Sequence, residues 1–312
     1  MTDPGTVLCI VGPTGCGKTA VSIRLAELLD GEIVSADAVA VYRGLDIGSA
    51  KPTAEERRGI PHHLIDCTDL ENDSFSVSEY RSLARTCIEE ILSRGKLPIV
   101  VGGSGLYVDS VFSDMRFSTP SDPVIRAALE KEYDENANGV FDALRRVDPV
   151  SASRLHPNDK KRVVRAMEVF YISDKPFSAL NDSFASAQKN DNTYRVVRVG
   201  LNMPRDVLYR RIERRVDRMI EDGLVREAFT LFQKGYTPDR VKAMQSIGYA
   251  QLYPVFTGNC SLSQGIESIK QDTRRFAKRQ ITWFKRNPET VWFDVSAVSD
   301  QELIDRITDL LK

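Results

Sequence analysis

The run Gly12-Pro13-Thr14-Gly15-Cys16-Gly17-Lys18-Thr19 fits the pattern G-x-x-x-x-G-K-[ST], a spacing that suits a chain of phosphates. Its glycines let backbone N–H groups turn inward around phosphate oxygens, and a helix starting behind them adds the positive end of its dipole. Lys18 offers a point charge to the terminal phosphates, and the Thr19 hydroxyl can ligate Mg²⁺. The flanks are those the motif needs: the apolar run TVLCIV (6–11) precedes it and the amphipathic segment AVSIRLAELL follows. This establishes a di- or triphosphate site, but not phosphoryl transfer. A second reactive group, Asp37, ends the apolar run EIVSA (32–36). An acid at the carboxyl end of a parallel strand lies on the ligand-binding edge of such a sheet. General base, N-cap, and carboxylate behind a Mg²⁺ ion are all open to it. A hydrolase or kinase of this class carries a metal-binding aspartate at the end of another apolar strand. Here the run LPIVV (97–101) leads instead into Gly102-Gly103-Ser104-Gly105.

The elements that position these groups alternate, apolar runs with helical patterns, which predicts an α/β fold around a parallel sheet. Further strands are expected at 195–201 (RVVRVGL) and 291–295 (VWFDV). A helix over 77–94 starts at a capping box, Ser76 with Glu79, presents Tyr80, Leu83, Cys87, Ile88 and Ile91, and stops at Gly95. The last helix has the same start, Ser299 with Glu302, and a stripe of Ile304, Ile307 and Leu311. From about 116 to 194 the strand signals vanish. Asp122-Pro123 and Asp148-Pro149 each read as an N-cap with proline in the first turn. The helical patterns VIRAALEKEY, FDALRRV and KKRVVRAMEVF follow, and 178–193 is polar enough for a loop. The expected architecture is a P-loop NTPase-like core of residues 1–115 and 195–312 with an all-helical insertion at 116–194.

Net charge is −1, which argues against a general nucleic-acid binder, but the basic groups are unevenly placed. Residues 270–286 hold seven basic side chains and one acid, 205–218 hold six against three, and Lys160, Lys161, Arg162 and Arg165 form a third group. Any one stripe is explained by a solvated helix face. Three together point to a localised polyanion surface. No apolar stretch approaches the roughly 20 residues of a membrane span. No basic leader precedes the first strand and the five cysteines are scattered, so reduced thiols and a cytoplasmic location are expected. A monomer is expected, since no heptad stripe is visible.

Eight segments in order along nearly the whole chain resemble one family, the bacterial-type tRNA dimethylallyltransferases, or IPP transferases. They are GPTGCGKT (12–19), SADAVAVYRGLDIGSAKPT (35–53), PHHLID (61–66), VGGSGLY (101–107), HPNDKKRVVRAMEV (156–169), RIERRVDRMIEDGLVREA (211–228), QSIGYAQL (245–252) and RRFAKRQITWFKR (274–286). The resemblance implies that Gly12 through Thr19 hold the diphosphate of dimethylallyl diphosphate as a leaving group. It implies an acceptor too, the N6 amine of the adenosine immediately 3′ of the anticodon in tRNA. Asp37 would then take the amine proton. Lys18, Arg215 and Thr19 with Mg²⁺ would stabilise the departing diphosphate, and Ser104 would lie close to the reacting centre. Contacts with tRNA would come from Asp37, Ala38, Val39, Ala40 and Ser104 at the acceptor. In the insertion they would come from Arg126, Lys161, Arg162, Val163, Val164 and Arg165. In the core the segment Gln245, Ser246, Ile247, Gly248, Tyr249 and Ala250 would contribute. So would Lys278, Arg279, Gln280, Ile281, Thr282, Trp283, Phe284 and Lys285. Of these last, the face of Phe276, Gln280 and Phe284 reads as core packing and Trp283 as a half-buried anchor.

The chain departs from the family pattern at Ala38 and Ala40, where D-S-x-Q is common, and at Ala250, where a basic residue is common. No C-terminal zinc-finger extension of the eukaryotic kind is expected. Three other readings share the phosphate loop. A prenyl transferase acting on free AMP or ATP needs neither the insertion nor the basic stripes. A small-metabolite kinase has no support beyond the loop. A non-catalytic RNA-binding module has no use for a diphosphate site beside Asp37.

Overall fold

The apolar runs become strands because both faces of a parallel sheet are covered, so an unbroken β-branched stretch is stabilised on either side. The computed structural model describes residues 5–72, 74–115, 119–180 and 192–312. These divide into two units, one drawn from 1–112 and 191–312, the other from 113–190.

The first unit begins with β1 (Thr6–Val11), α1 (Lys18–Leu28), β2 (Gly31–Ala36), a short α2 (Ala54–Arg57), β3 (His62–His63), α3 (Val77–Ser93), β4 (Leu97–Gly102) and α4 (Gly105–Phe112). The second unit carries α5 (Pro123–Glu135), α6 (Ala137–Val147), α7 (Pro149–Arg154), α8 (Lys160–Ser173) and α9 (Phe177–Leu180). The chain then returns to the first with β5 (Arg195–Asn202), α10 (Arg205–Glu221), α11 (Leu224–Gln233), α12 (Tyr249–Phe256), α13 (Leu262–Phe284), β6 (Val291–Asp294) and α14 (Asp300–Asp309).

All strand pairings are parallel and the order is β3-β2-β4-β1-β5-β6. Val7, Cys9 and Val11 of β1 face one core layer with α3, α4, α11 and α12. Leu8 and Ile10 face the other, with α1, α10 and α14. Sequence reasoning misses β3, because a two-residue strand, His62 and His63, has no apolar run to announce it. In α3 the buried stripe is Tyr80, Ala84, Ile88 and Ile91, while the expected Leu83 is 37% exposed. Tyr80 and Tyr107 stack at 4.0 Å, which turns the helix toward α4 and Leu83 outward. Ser76 and Ser299 cap their helices, accepting from the amides of Glu79 and Glu302, but the return bond from the glutamate that completes a capping box is absent among the described residues.

The second unit has its own core of Leu129, Tyr133, Val140, Phe141, Leu144, Val163, Val164 and Met167. Asp122 accepts from the amides of Val124 and Ile125, and Asp148 from that of Ser151, each with proline next in the chain. Asp148 also takes the Ser178 amide and hydroxyl at 2.8 and 2.6 Å. Residues 178–180, expected as loop, are therefore helical in α9. Of the rest of that expected loop, residues 181–191 lie outside the described residues.

Candidate active site

The strands β1, β2 and β4 end side by side, and the groups singled out for chemistry in the first unit collect at that carboxyl edge. Behind β1 the loop turns through Gly12, Gly15 and Gly17 at φ 148°, 81° and 96°, conformations that a side chain rarely adopts. Gly12 has no room either, since a Cβ there would lie 2.3 Å from the Leu201 carbonyl oxygen. Helix α1 starts at Lys18 with no side-chain cap, so its first amides remain directed at the loop. Lys18 Nζ lies across that loop, donating to the carbonyls of Gly12 at 2.9 Å and Pro13 at 2.8 Å. The Ile212 side chain of α10 packs under Gly15, Arg211 brings its guanidinium beside Gly17, and Arg215 follows one turn later. Burial pushes Lys18 below its ordinary pKa, with the Arg215 charge acting in the same direction and Asp37 opposing it. Burial likewise lowers Arg215, and Asp37 opposes that too. Lys18, Arg215 and Asp37 thus share one electrostatic neighbourhood.

Asp37 is held by its own loop. Oδ1 accepts the Val39 amide at 2.8 Å and the Ala40 amide at 3.2 Å, an Asx-type turn. Oδ2 has no hydrogen-bond partner among the described residues. Ser104 braces this turn from β4, accepting the Ala38 amide on Oγ at 2.9 Å and donating its own amide to Ala36. The arrangement can hold a diphosphate over two cations and present one open carboxylate oxygen beside it.

The family model described as IPP transferase matches residues 40–287. The tRNA dimethylallyltransferase of Bacillus subtilis is 44% identical over 299 residues, 95% of this chain and 93% of that protein. The chain belongs to the IPP transferase family. Among solved structures, the tRNA isopentenylpyrophosphate transferase from Bacillus halodurans has a TM-score of 0.72 and 40% identity, covering 99% of this chain and 97% of that one. A eukaryotic dimethylallyltransferase acting on tRNA gives a TM-score of 0.81 at 28% identity, covering 98% and 79%.

In this IPP transferase the remaining candidates separate by exposure. On α13, Lys278, Arg279, Thr282 and, at its end, Lys285 are exposed, while Ile281 is half-buried. Phe284 and Gln280 are buried. Gln280 Oε1 accepts the Thr14 amide at 2.9 Å and its Nε2 donates to the Gly103 carbonyl at 3.0 Å. Trp283 is an anchor: Nε1 donates to Asp109 Oδ2 at 2.7 Å, and Asp109 Oδ1 pairs with buried Arg198 at 3.2 Å. In the segment 245–250, Gln245 is exposed and donates to the Pro238 carbonyl, Ser246, Ile247 and Ala250 are half-buried, and Gly248 and Tyr249 are buried. The Tyr249 hydroxyl donates to Glu227 at 2.6 Å. Glu227 also accepts the amides of Asp46, Ile47 and Gly48 at 3.2, 2.9 and 3.1 Å, fixing the DIGS loop. Sequence reasoning missed this carboxylate, whose loop partners Asp46, Ile47 and Gly48 lie about 180 residues away with no local signal.

In the helical unit, Lys161 and Arg162 are exposed and Val163 and Val164 are core. Arg126 and Arg165 converge on the buried Glu168 at 2.6 and 2.7 Å, and Glu168 also accepts the Ser121 hydroxyl and the Asp122 amide. The side chains of Gln280, Phe284, Tyr249, Val163 and Val164 therefore face the interior. Their exposed and half-buried neighbours present side chains at the surface.

Proposed function

We propose that this chain transfers the dimethylallyl group of dimethylallyl diphosphate to the N6 amine of the tRNA adenosine immediately 3′ of the anticodon, releasing diphosphate. The observation that carries the reading is Asp37, whose open Oδ2 shares the neighbourhood of Lys18 and Arg215 at the phosphate loop. The N6–C bond forms as the C–O bond to diphosphate breaks, and the amine proton passes to Asp37 Oδ2. The amine is a poor nucleophile, so alignment and proton removal both lower the barrier. Negative charge gathers on the leaving diphosphate, where Lys18, Arg215 and the loop amides meet it.

The Thr19 hydroxyl, in the first turn of α1, has no hydrogen-bond partner among the described residues and would hold Mg²⁺. An oxygen donor beside a phosphate site suits this ion, which takes one or two protein ligands and fills the rest with phosphate and water. Bound there, the ion neutralises charge on the diphosphate.

Exposed Lys278, Arg279 and Lys285 in the core, and Lys161 and Arg162 in the helical unit, are the side chains suited to tRNA phosphates. Around the acceptor, Ala38 and Ala40 contribute backbone amides, to Ser104 and Asp37, but no polar side chain, so Ser104 supplies the side-chain hydroxyl there. Among the described residues no helix is long and apolar enough to cross a membrane. The protein acts as a monomer in the cytoplasm, a placement supported by five free thiols. Labelled dimethylallyl diphosphate offered with unmodified tRNA and with AMP as separate acceptors tests the reading. Label in tRNA alone is expected, and label in AMP would move the protein to free-nucleotide chemistry.

A further inference from the structure

Gln280 sits on α13 between the exposed Arg279 and Thr282 and close to Lys278 and Lys285, yet it is only 5% exposed. Its amide is used at both ends. Oε1 takes the Thr14 N–H of the phosphate loop, and Nε2 donates to the carbonyl of Gly103 at the tip of β4. Gly103 precedes Ser104, Ser104 Oγ takes the Ala38 amide, and Ala38 follows Asp37. One side chain thus joins the loop that would carry the leaving group to the turn that presents the carboxylate. The space is kept for it: a Cβ on Gly103 would lie 2.1 Å from Gln280 Nε2, and one on Gly105 would lie 2.2 Å from the Trp283 ring. The glycines after β4 therefore let α13 approach this edge closely. They stand where a kinase would carry its metal-binding acid.

We propose that Gln280 is a positioning residue for the transfer step: its amide sets the separation between the phosphate loop and the Gly103–Ser104 turn, and through Ala38 the placement of Asp37. The proposal rests on the transfer reading for its kinetic part alone. Attack on the prenyl carbon needs amine, carbon and diphosphate oxygen held in register. A displacement of about 1 Å between the two sides costs on the order of 100-fold in rate.

Gln280→Met keeps the length and packing of the side chain and removes both bonds. With saturating tRNA it is expected to lower kcat roughly 10- to 100-fold and to raise the dimethylallyl diphosphate KM several-fold. In a Ser104→Ala background the same change should lower kcat by less than about threefold, because the turn is already uncoupled from Ala38. Gly103→Ala, whose methyl takes the place of the amide, should reproduce the Gln280→Met profile. Binding of inorganic pyrophosphate, read by calorimetry, should weaken about tenfold in Gln280→Met through the loop alone. That arm stands even if the wild-type protein transfers no prenyl group. Multiplicative costs in the double variant, or a kcat loss that tracks the folded fraction by circular dichroism with KM unchanged, would overturn the proposal. So would unaltered pyrophosphate affinity.

Discussion

Ser104 Oγ accepts the Ala38 amide at 2.9 Å, so the tip of β4 fixes the residue beside Asp37. The Ala36 carbonyl takes the Ser104 amide in return at 3.2 Å, closing the gap between the ends of two neighbouring parallel strands. With Oδ1 pinned by Val39 and Ala40, the Asp37 carboxylate has a set orientation and one open oxygen. A general base needs both, since geometry limits proton transfer before basicity does.

Asp37→Asn keeps an acceptor oxygen for the turn, so the fold survives while the base is lost. We expect the single-turnover rate of transfer to fall roughly 10²- to 10⁴-fold. The Kd for tRNA, read by filter binding, should stay within about twofold, because phosphate contacts carry most of the affinity. Loss of tRNA binding together with activity would show that Asp37 is structural.

On the proposed reading, half-buried Arg215 would meet the charge that develops on the leaving group. Arg215→Ala is expected to lower kcat by roughly 10²- to 10³-fold. Arg215→Lys should recover only part, because an ammonium does not reproduce the two-pronged guanidinium. Quench-flow measurement of diphosphate release checks both. Full activity in the lysine variant would reduce Arg215 to a point charge.

What the sequence disclosed and what it hid differ by the range of the interaction. The strand before Gly12, the caps Ser76, Asp122, Asp148 and Ser299, and the helix stop at Gly95 are local, and each follows from a few neighbouring residues. The exposure of Leu83 in place of Ala84 was not visible, because a stripe counted on one helix does not say which partner it meets. Gln280 was legible as part of a packed helix face with Phe276 and Phe284, but its hydrogen bonds to Thr14 and Gly103, 266 and 177 residues earlier in the chain, were not. The resemblance places Arg126 and Arg165 at the tRNA, and their pairing with Glu168, which leaves their side chains 38% and 30% exposed, has no signal in the sequence.

Glu168 makes the helical unit sensitive to acid. Burial alone would raise its pKa, but hydrogen bonds from Arg165, Ser121 and Arg126 outweigh it and hold the carboxyl below the ordinary 4.5. A carboxylate lowered in the folded state stabilises fully above that ordinary value, and the contribution fades as pH falls through the lower folded one. Glu168→Ala should therefore destabilise the unit by about 1–3 kcal/mol at neutral pH, since the two arginines left behind are partly exposed to water. It should also lose less stability than the wild type on going below pH 4.5. Thermal melts at neutral and acid pH decide it, and equal acid loss in the two proteins would remove Glu168 as the cause.

Affinity for tRNA should fall steeply between low and moderate salt. Lys278→Ala, Arg279→Ala and Lys285→Ala change exposed side chains and should each reduce the slope of log K against log salt by about one unit. The buried Phe284, replaced by Leu, should leave that slope alone. A slope unchanged by all three would place the RNA surface elsewhere.

One measurement decides the reaction itself: a single round with unmodified tRNA and dimethylallyl diphosphate, followed by nucleoside digestion and mass spectrometry. We expect one N6-dimethylallyladenosine per tRNA, mapped next to the anticodon on its 3′ side, with an equal amount of diphosphate released. Unmodified adenosine throughout, with ATP consumed when it is supplied instead, would contradict alkyl transfer and return the phosphate loop to kinase chemistry.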